Sequence, residues 1–244
     1  MKESRFTVSE NTPLAENTFR LALRGDVSAV TAPGQFVNLR LDGLFLRRPL
    51  SVCTVSGDIL TVIYKVVGKG TQKLRRMRPG DGIDVMTGLG NGFDTTVSGG
   101  RPLLLGGGSG VSPMFMLAEK LAAEGKKPVA VLGFNTAAEV FGAEELKALG
   151  ADVTIATLDG SLGIKGYVTD ALPDGCTYYY ACGPEPMLKA VYNTLALSGQ
   201  LSFERRMGCG FGACMGCSCR TITGSKRICK EGPVMRKEEI LWED

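Results

Sequence analysis

The chain has 244 residues, of which 44% are apolar and 22% charged, and its formal net charge is +3. This length allows two domains and a small module, and basic residues interleaved with acidic ones give no sign of a nucleic-acid partner. Because the sequence contains no histidine, a Rieske centre, a His-ligated haem and a histidine general base are all excluded.

The sequence has no segment typical of export or of a membrane span. The first residues lack an apolar signal core, and no apolar stretch approaches the roughly 18 residues that a span requires. We therefore expect a cytoplasmic protein in a reducing compartment, which suits thiolate ligands and argues against disulfide bonds.

Residues 1–98 contain short alternating segments separated by turn signals. The segments 19–23, 35–41 and 59–67 alternate apolar and polar residues, and turns are indicated at 32–34, 56–58 and 78–81. Many short strands at regular spacing predict a closed antiparallel β-barrel.

Two motifs of this segment follow predicted strands: Arg48-Pro49-Leu50-Ser51 and Gly68-Lys-Gly70-Thr71. An arginine and a threonine can hold a diphosphate, and a serine hydroxyl can face a flavin ring. Taken alone, Arg48 is better explained as an ordinary surface arginine.

Residues 99–203 have a different pattern. Short apolar strands are predicted at 102–105, 128–134, 153–157 and 178–181, and helices at 113–123, 143–149 and 187–197. Alternating strands and helices predict a doubly wound parallel sheet. Residues 204–244 are too few for a core of their own, so a bound cofactor and packing on the rest must organise them.

A glycine-rich turn joins the first of these strands to its helix, with the residues Gly106, Gly107, Gly108, Ser109 and Gly110. Residues without side chains let a pyrophosphate approach the backbone at a helix N-terminus, although the Gly-x-Gly-x-x-Gly fingerprint is absent and a purely structural turn is the alternative.

A second loop, Cys182-Gly183-Pro184-Glu185, follows the last strand; its alternative is a proline-rich helix start. Both loops should lie at the carboxyl edge of the sheet, where ligands bind in such folds. The segment 134–140 contains no Arg or Lys for a 2′-phosphate, which favours NAD over NADP.

The last forty residues contain Cys209-x4-Cys214-x2-Cys217 and then Cys229 after eleven intervening residues. Plant-type ferredoxins hold a [2Fe–2S] cluster with this spacing. A zinc site and a disulfide set are the alternatives, and Cys219 is a further thiol that could replace a ligand.

The order of these motifs resembles the ferredoxin–NADP reductase-like superfamily over residues 5–200. The whole chain resembles the electron-transfer subunit of class 1B dihydroorotate dehydrogenase, on the markers Leu46–Ser51, Leu89-Gly-Asn-Gly-Phe93, the four cysteines and Cys229–Val234.

The resemblance implies an FAD barrel (1–98), an NAD domain (99–203) and a [2Fe–2S] module (204–244). It places FAD against Arg48, Pro49, Leu50, Ser51, Ile63, Tyr64, Lys65, Gly70 and Thr71, and it names no catalytic acid or base.

The resemblance also implies a partner, a dihydroorotate dehydrogenase catalytic subunit that contains FMN, in a heterotetramer of two plus two. Electrons would pass through [2Fe–2S] and FAD to NAD+ in pyrimidine (UMP) biosynthesis. The alternatives are a subunit of a ferredoxin:NAD(P) oxidoreductase or of a sulfhydrogenase-type complex, and a cofactor-free scaffold with structural zinc.

Overall fold

The computed structural model describes residues 1–242, and the first 89 of them form a closed antiparallel barrel of six strands. The order around the barrel is β1-β2-β5-β4-β3-β6. The strands are β1 Lys2–Ala15, β2 Thr18–Arg24, β3 Phe36–Arg40, β4 Arg48–Ser56, β5 Ile59–Lys65 and β6 Gly82–Leu89.

Alternation along the strands fills the barrel. On β3, Val37 and Leu39 point into the barrel core, whereas Phe36 joins the apolar cluster outside it. This outer face is therefore covered by the rest of the chain rather than by water.

The motif Arg48–Ser51 differs from expectation, because it begins strand β4 instead of following a strand. The segment after β5 also differs. It forms a short helix, α1 Lys69–Arg75, which no sequence pattern had predicted.

Residues 102–236 supply a seven-stranded sheet with the order β10-β9-β8-β7-β11-β12-β15. All neighbours pair in parallel except β15, which is antiparallel to β12. The strands are β7 Pro102–Gly107, β8 Val129–Phe134, β9 Asp152–Thr157, β10 Ile164–Lys165, β11 Tyr178–Cys182, β12 Gly199–Ser202 and β15 Val234–Arg236, and the helices are α2 Ser112–Ala123, α3 Ala143–Ala148 and α4 Glu185–Thr194.

The strand order reverses between β7 and β11, so these two strands flank the point of the sheet where such folds bind ligands. The expected helix at 187–197 begins earlier, at Glu185, because Pro186 fits the first helical turn. It also ends earlier, since Leu195 is extended.

The last segment is not a free-standing appendage. Its hairpin, β13 Ser218–Thr221 and β14 Gly224–Arg227, stands apart from the large sheet, but β15 pairs with β12 and becomes its edge strand. Cys217, Ile228 and Cys229 belong to one buried cluster with barrel and sheet residues. The segment is thus held by a shared core.

No helix in the part of the chain described here has the length and apolar character needed to traverse a bilayer.

Candidate cofactor-binding sites

The two glycine-rich loops pack directly against each other at the carboxyl ends of β7 and β11. A Cβ on Gly110 would overlap the Cys182 carbonyl and lie 2.7 Å from the Gly183 nitrogen, and a Cβ on Gly107 would lie 3.1 Å from Pro184 Cδ. Gly108 has a left-handed φ of +52° with open space above it. The loops therefore present backbone rather than side chains at this edge, as the sequence predicts.

Ser109 lies in a single 3-10 turn, Gly108–Val111, that runs into α2. The N-terminus of α2 therefore continues the glycine turn, and Pro113 lies in its first turn. The unpaired N–H groups and the helix dipole at this end suit an anionic pyrophosphate.

The functional groups of the second loop are already engaged within the protein. Burial raises the pKa of the Cys182 thiol to about 12, against a hydrogen bond with the Ser202 hydroxyl, so the sulfur is neutral near pH 7. The Glu185 carboxylate accepts hydrogen bonds from Nη1 and Nη2 of Arg205, and the Nη2 bond to Glu185 Oε1 is 2.8 Å long. The side chain of Glu185 is thus an ionic tie to the segment that leads into the cysteine loop.

A cation does reach the loop after β8, but it comes from the barrel. Lys65 Nζ lies 2.6 Å from Glu139 Oε1, and Asn135 Nδ2 donates to Glu139 Oε2 at 2.9 Å. Burial raises the pKa of Glu139, but the hydrogen bonds from Lys65 and Asn135 outweigh it and leave the pKa lowered. Since Glu139 neutralises Lys65, the loop still offers no unpaired lysine to a 2′-phosphate.

The barrel brings Arg48, Gly70 and Thr71 together. A Cβ on Gly70 would overlap the Arg48 guanidinium, so the arginine lies across the start of α1. Thr71 Oγ1 accepts the backbone N–H groups of Val67 at 2.9 Å and Gly68 at 3.1 Å. The Arg48 guanidinium is thus adjacent to the start of α1, whose N-cap residue Gly68 makes no side-chain capping hydrogen bond, and this arrangement suits a diphosphate.

Strand β4 presents its motif beside β3, with Ser51 opposite Phe36 and Pro49 opposite Asn38. Opposite residues of an antiparallel pair share a face. Pro49 and Ser51 therefore face outward with Phe36 and Asn38, whereas Leu50 packs toward the barrel core.

The three residues predicted on β5 point in different directions. Ile63 is buried in the apolar cluster between barrel and sheet, and Lys65 pairs with Glu139. Tyr64 lies inside the barrel, where its hydroxyl donates to Asn11 Oδ1 at 3.0 Å and its ring stacks on Phe19. Tyr64 can therefore offer an outside ligand only its main chain.

The four predicted cysteine ligands form two pairs. The Cys214 backbone N–H donates to Cys209 Sγ at 3.4 Å, and the Cys229 backbone N–H donates to Cys217 Sγ at 3.4 Å. The Ala213 backbone N–H also donates to Cys209 Sγ, at 3.2 Å. Such N–H···S contacts are the usual outer shell of an iron–sulfur cluster.

The pairing fits two irons better than one metal ion. A cluster with two irons takes two cysteines on each, whereas structural zinc takes four ligands around one centre. Cys219 lies outside the pairs, with its sulfur 3.8 Å from Met235 Sδ.

Comparison with known proteins agrees with this arrangement. Residues 204–241 match the iron–sulfur cluster binding domain of dihydroorotate dehydrogenase B, and residues 104–193 match the oxidoreductase NAD-binding domain. The chain is 43% identical to the dihydroorotate dehydrogenase B (NAD(+)) electron transfer subunit of Geobacillus sp. (strain WCH70), with 99% of both chains covered. It is 39% identical to the subunit of the same name from Fusobacterium nucleatum, over 98% of this chain and 99% of that one.

The chain belongs to the family of dihydroorotate dehydrogenase B electron transfer subunits. Among solved structures, one described as NADH-dependent reduced ferredoxin–NADP oxidoreductase, from a study of flavin-based electron bifurcation, superposes with a TM-score of 0.88 at 30% identity, covering 97% of this chain and 90% of that one. The predicted family and the predicted barrel-plus-parallel-sheet fold are both confirmed.

Sequence reasoning missed the contacts that join the sites. Asn91 holds the turn after Cys229, since its Nδ2 donates to the Val234 carbonyl at 2.8 Å and to the Glu231 carbonyl at 3.0 Å. Arg227 and Glu231 form an ion pair beside the cysteines. Only the second contact left a signal in the sequence, in opposite charges four residues apart.

Proposed function

We propose that this chain is the electron transfer subunit of an NAD+-linked dihydroorotate dehydrogenase and passes electrons from a catalytic subunit to NAD+ in pyrimidine (UMP) biosynthesis. The observation that carries this proposal is 43% identity over 99% of both chains to a subunit of that name. The chain is one subunit of an oxidoreductase, and its cofactors are FAD, a [2Fe–2S] cluster and NAD. When bound, these groups supply single-electron transfer and its conversion into the hydride that NAD+ accepts.

The cysteine pairs suggest how the cluster is held. Cys209 and Cys214 would hold one iron, and Cys217 and Cys229 the other. Cys217 and Cys229 are buried in the core shared with the barrel and sheet, whereas Cys214 is exposed and Cys209 is half-buried. The more exposed pair would face the partner, and the buried pair would face the flavin.

The barrel would hold FAD through its diphosphate and its ring. Arg48, beside Gly70 and Thr71, supplies a guanidinium for the diphosphate. The outward face of Pro49 and Ser51 supplies a surface for the ring. The complete set comprises Arg48, Pro49, Leu50, Ser51, Ile63, Tyr64, Lys65, Gly70 and Thr71, with Tyr64 acting through its main chain.

The sheet would hold NAD at the reversal of its strand order. The backbone of Gly106, Gly107, Gly108, Ser109 and Gly110 receives the pyrophosphate, and Cys182, Gly183, Pro184 and Glu185 line the nicotinamide end. With a neutral thiol at Cys182 and Glu185 tied to Arg205, these residues position the nucleotide and transfer no proton. Because Glu139 already neutralises Lys65, the loop after β8 has no unpaired lysine for a 2′-phosphate, which favours NAD over NADP. The corresponding units are residues 1–98, 99–203 and 204–244.

The partner in this proposal is a catalytic subunit that contains FMN, in a cytoplasmic heterotetramer of two plus two. The name of the family supports the existence of a catalytic partner. Co-expression of this chain with the FMN-dependent dihydroorotate dehydrogenase chain of its host, followed by anaerobic purification, tests this assembly. We expect one complex that contains FMN, FAD and two irons per pair of chains and reduces NAD+ with dihydroorotate.

Two variants sharpen the same experiment. Cys217→Ser should abolish NAD+ reduction and the iron content, whereas Cys219→Ser should leave both near the wild-type level. Loss of the cluster in Cys219→Ser with retention in Cys217→Ser would contradict the proposed ligand set. A complex that forms but does not oxidise dihydroorotate would contradict the proposed activity.

A second candidate function is a subunit of a ferredoxin:NAD(P) oxidoreductase, because the solved structure of that description has a TM-score of 0.88 over 97% of this chain. Under either function this chain would hold the same cofactors, so the partner distinguishes them. Co-purification with a ferredoxin-linked subunit, and NAD(P)H formation from reduced ferredoxin but not from dihydroorotate, would favour this candidate.

A further inference from the structure

Arg227, at the end of β14, connects the two parts of the cysteine site. Its Nη1 donates to the Gly212 carbonyl at 2.7 Å, inside the loop between Cys209 and Cys214. Its main-chain carbonyl accepts the N–H groups of Lys230 at 3.0 Å and Glu231 at 2.9 Å, in the turn after Cys229. One residue therefore holds both the first cysteine loop and the turn of the fourth cysteine.

Glu231 fixes the direction of this arginine. Glu231 Oε2 accepts from Arg227 Nε at 2.9 Å and from the Arg227 backbone nitrogen at 2.8 Å, while Oε1 accepts from Nη2. Because the carboxylate accepts hydrogen bonds from two guanidinium nitrogens, Nε and Nη2, it restricts rotation of the guanidinium. The third nitrogen, Nη1, is left pointing at Gly212. Arg227 and Glu231 form an ion pair, so the guanidinium and its counter-charge lie side by side next to the cysteines.

The close approach requires a glycine in the cysteine loop. Gly212 has a left-handed φ of +95°, and a Cβ there would lie 3.4 Å from Arg227 Nη1 and 2.6 Å from Lys230 Cδ. Arg227 also lies opposite Ser218, the residue after Cys217, in the hairpin of β13 and β14.

We propose that Arg227, oriented by Glu231, is a positioning residue that closes the cysteine loop and sets the reduction potential of the cluster. This inference rests on the proposed function, in which the four cysteines hold a [2Fe–2S] cluster. Reduction of such a cluster adds one negative charge, and charge and hydrogen bonding around the sulfurs are what tune its potential. The guanidinium stabilises the reduced state, and the carboxylate of Glu231 opposes that stabilisation.

The two charges predict shifts of opposite sign. Arg227→Gln removes the cation and should make the midpoint potential more negative. Glu231→Gln leaves the cation without its counter-charge and should make the potential less negative. Arg227→Lys keeps the charge but loses the fork that reaches Gly212 and Glu231 together, so it should lower iron retention more than it changes the potential.

The test is a potentiometric titration of the anaerobically purified complex, followed by the electron paramagnetic resonance signal of the reduced cluster, with iron content measured in parallel. The matched control is Lys226→Gln. This neighbour of Arg227 pairs with Glu239, so it makes the same charge change on the same strand without a bond to the cysteine loop. We expect its midpoint potential to stay near the wild-type value.

An unchanged potential in Arg227→Gln with the signal retained would overturn the inference, as would equal shifts in Arg227→Gln and Lys226→Gln. If Arg227→Gln loses its cluster, Glu231→Gln decides the question: a less negative potential supports the inference, and an unchanged or more negative one refutes it. A wild-type complex with no such signal would instead refute the proposed function from which the inference starts.

Discussion

Asn91 provides a measurable test of how the cysteine segment is attached. It lies on the connection between barrel and sheet, and its side chain makes three hydrogen bonds to the turn after Cys229. Nδ2 donates to the Glu231 carbonyl at 3.0 Å and to the Val234 carbonyl at 2.8 Å, and Oδ1 accepts from the Val234 nitrogen at 3.2 Å. Asn91→Ala removes all three, whereas the backbone bond from Asn91 to the Gly232 carbonyl, at 2.8 Å, remains.

The expected loss of unfolding free energy is about 2 kcal/mol. A neutral hydrogen bond contributes about 1 kcal/mol net, and Asn91 is exposed enough for water to replace part of the loss. For a chain of this size, 1 kcal/mol corresponds to a fall of about 2–4 °C in melting temperature, so about 4–8 °C is expected. Because the missing bonds hold the turn next to Cys229, iron should also be lost faster to a chelator.

The assay is thermal unfolding by circular dichroism together with the rate of iron release to a chelator. Asn135→Ala is the matched control, since Asn135 follows β8, toward the opposite edge of the sheet from β15, and bonds to Glu139. A melting temperature within about 1 °C of wild type, with wild-type iron release, would show that the core alone holds the segment and would refute this reasoning.

Two other expectations follow from backbone and thiol geometry. Gly210→Ala should lower cluster retention several-fold, because Gly210 has φ +79° and the Asn38 carboxamide fills the space of a Cβ. Gly43→Ala is the control and should leave retention unchanged, since Gly43 has φ +72° with open space around it. Equal losses in both variants would contradict the steric account. Burial raises the pKa of Cys53 and of Cys182 from 9.0 to about 12, so these thiols ionise in the unfolded chain at a lower pH than in the folded one. Their contribution to stability is therefore lost as the pH rises from about 9 to about 12, and chemical denaturation across this range should show the decline. In the folded protein both thiols should resist alkylation at pH 8.

The barrel was predictable from alternating apolar and polar residues, and the sheet from apolar strands that alternate with helices. Irregular strands were not predicted. Strand β1 is 14 residues long, but its stretch Ser9–Pro13 is rich in residues typical of turns. The strand absorbs them with register shifts between Val8 and Glu10 and between Pro13 and Ala15. Local composition cannot show this, because pairing with β2 stabilises the stretch from outside.

The sites divide in the same way. Glycine-rich turns and cysteine spacings can be recognised within a short stretch of sequence. Because both glycine-rich loops follow predicted parallel strands, the sequence alone was enough to predict that they lie at one edge of the sheet. The pairing of Lys65 with Glu139 joins residues 74 positions apart, and nothing in the segment 134–140 signals it. Counting the charges of residues 134–140 alone cannot detect Lys65, which the barrel supplies to this loop. Such contacts become visible only when the packing of the units is known.

That packing also argues against treating the cysteine segment as a separable module. Strand β15 covers the edge of β12, and the core that contains Cys217 and Cys229 also contains Phe36 and Met86 of the barrel. Without the segment, β12 would become an open edge and this apolar face would meet water, both of which favour aggregation. Gly210 also lies against Asn38 of β3, which is opposite Pro49, so the cysteine loop and the motif Arg48–Ser51 proposed to hold FAD both contact strand β3. The short span between these two sites is therefore set by the fold of the whole chain and not by a flexible tether.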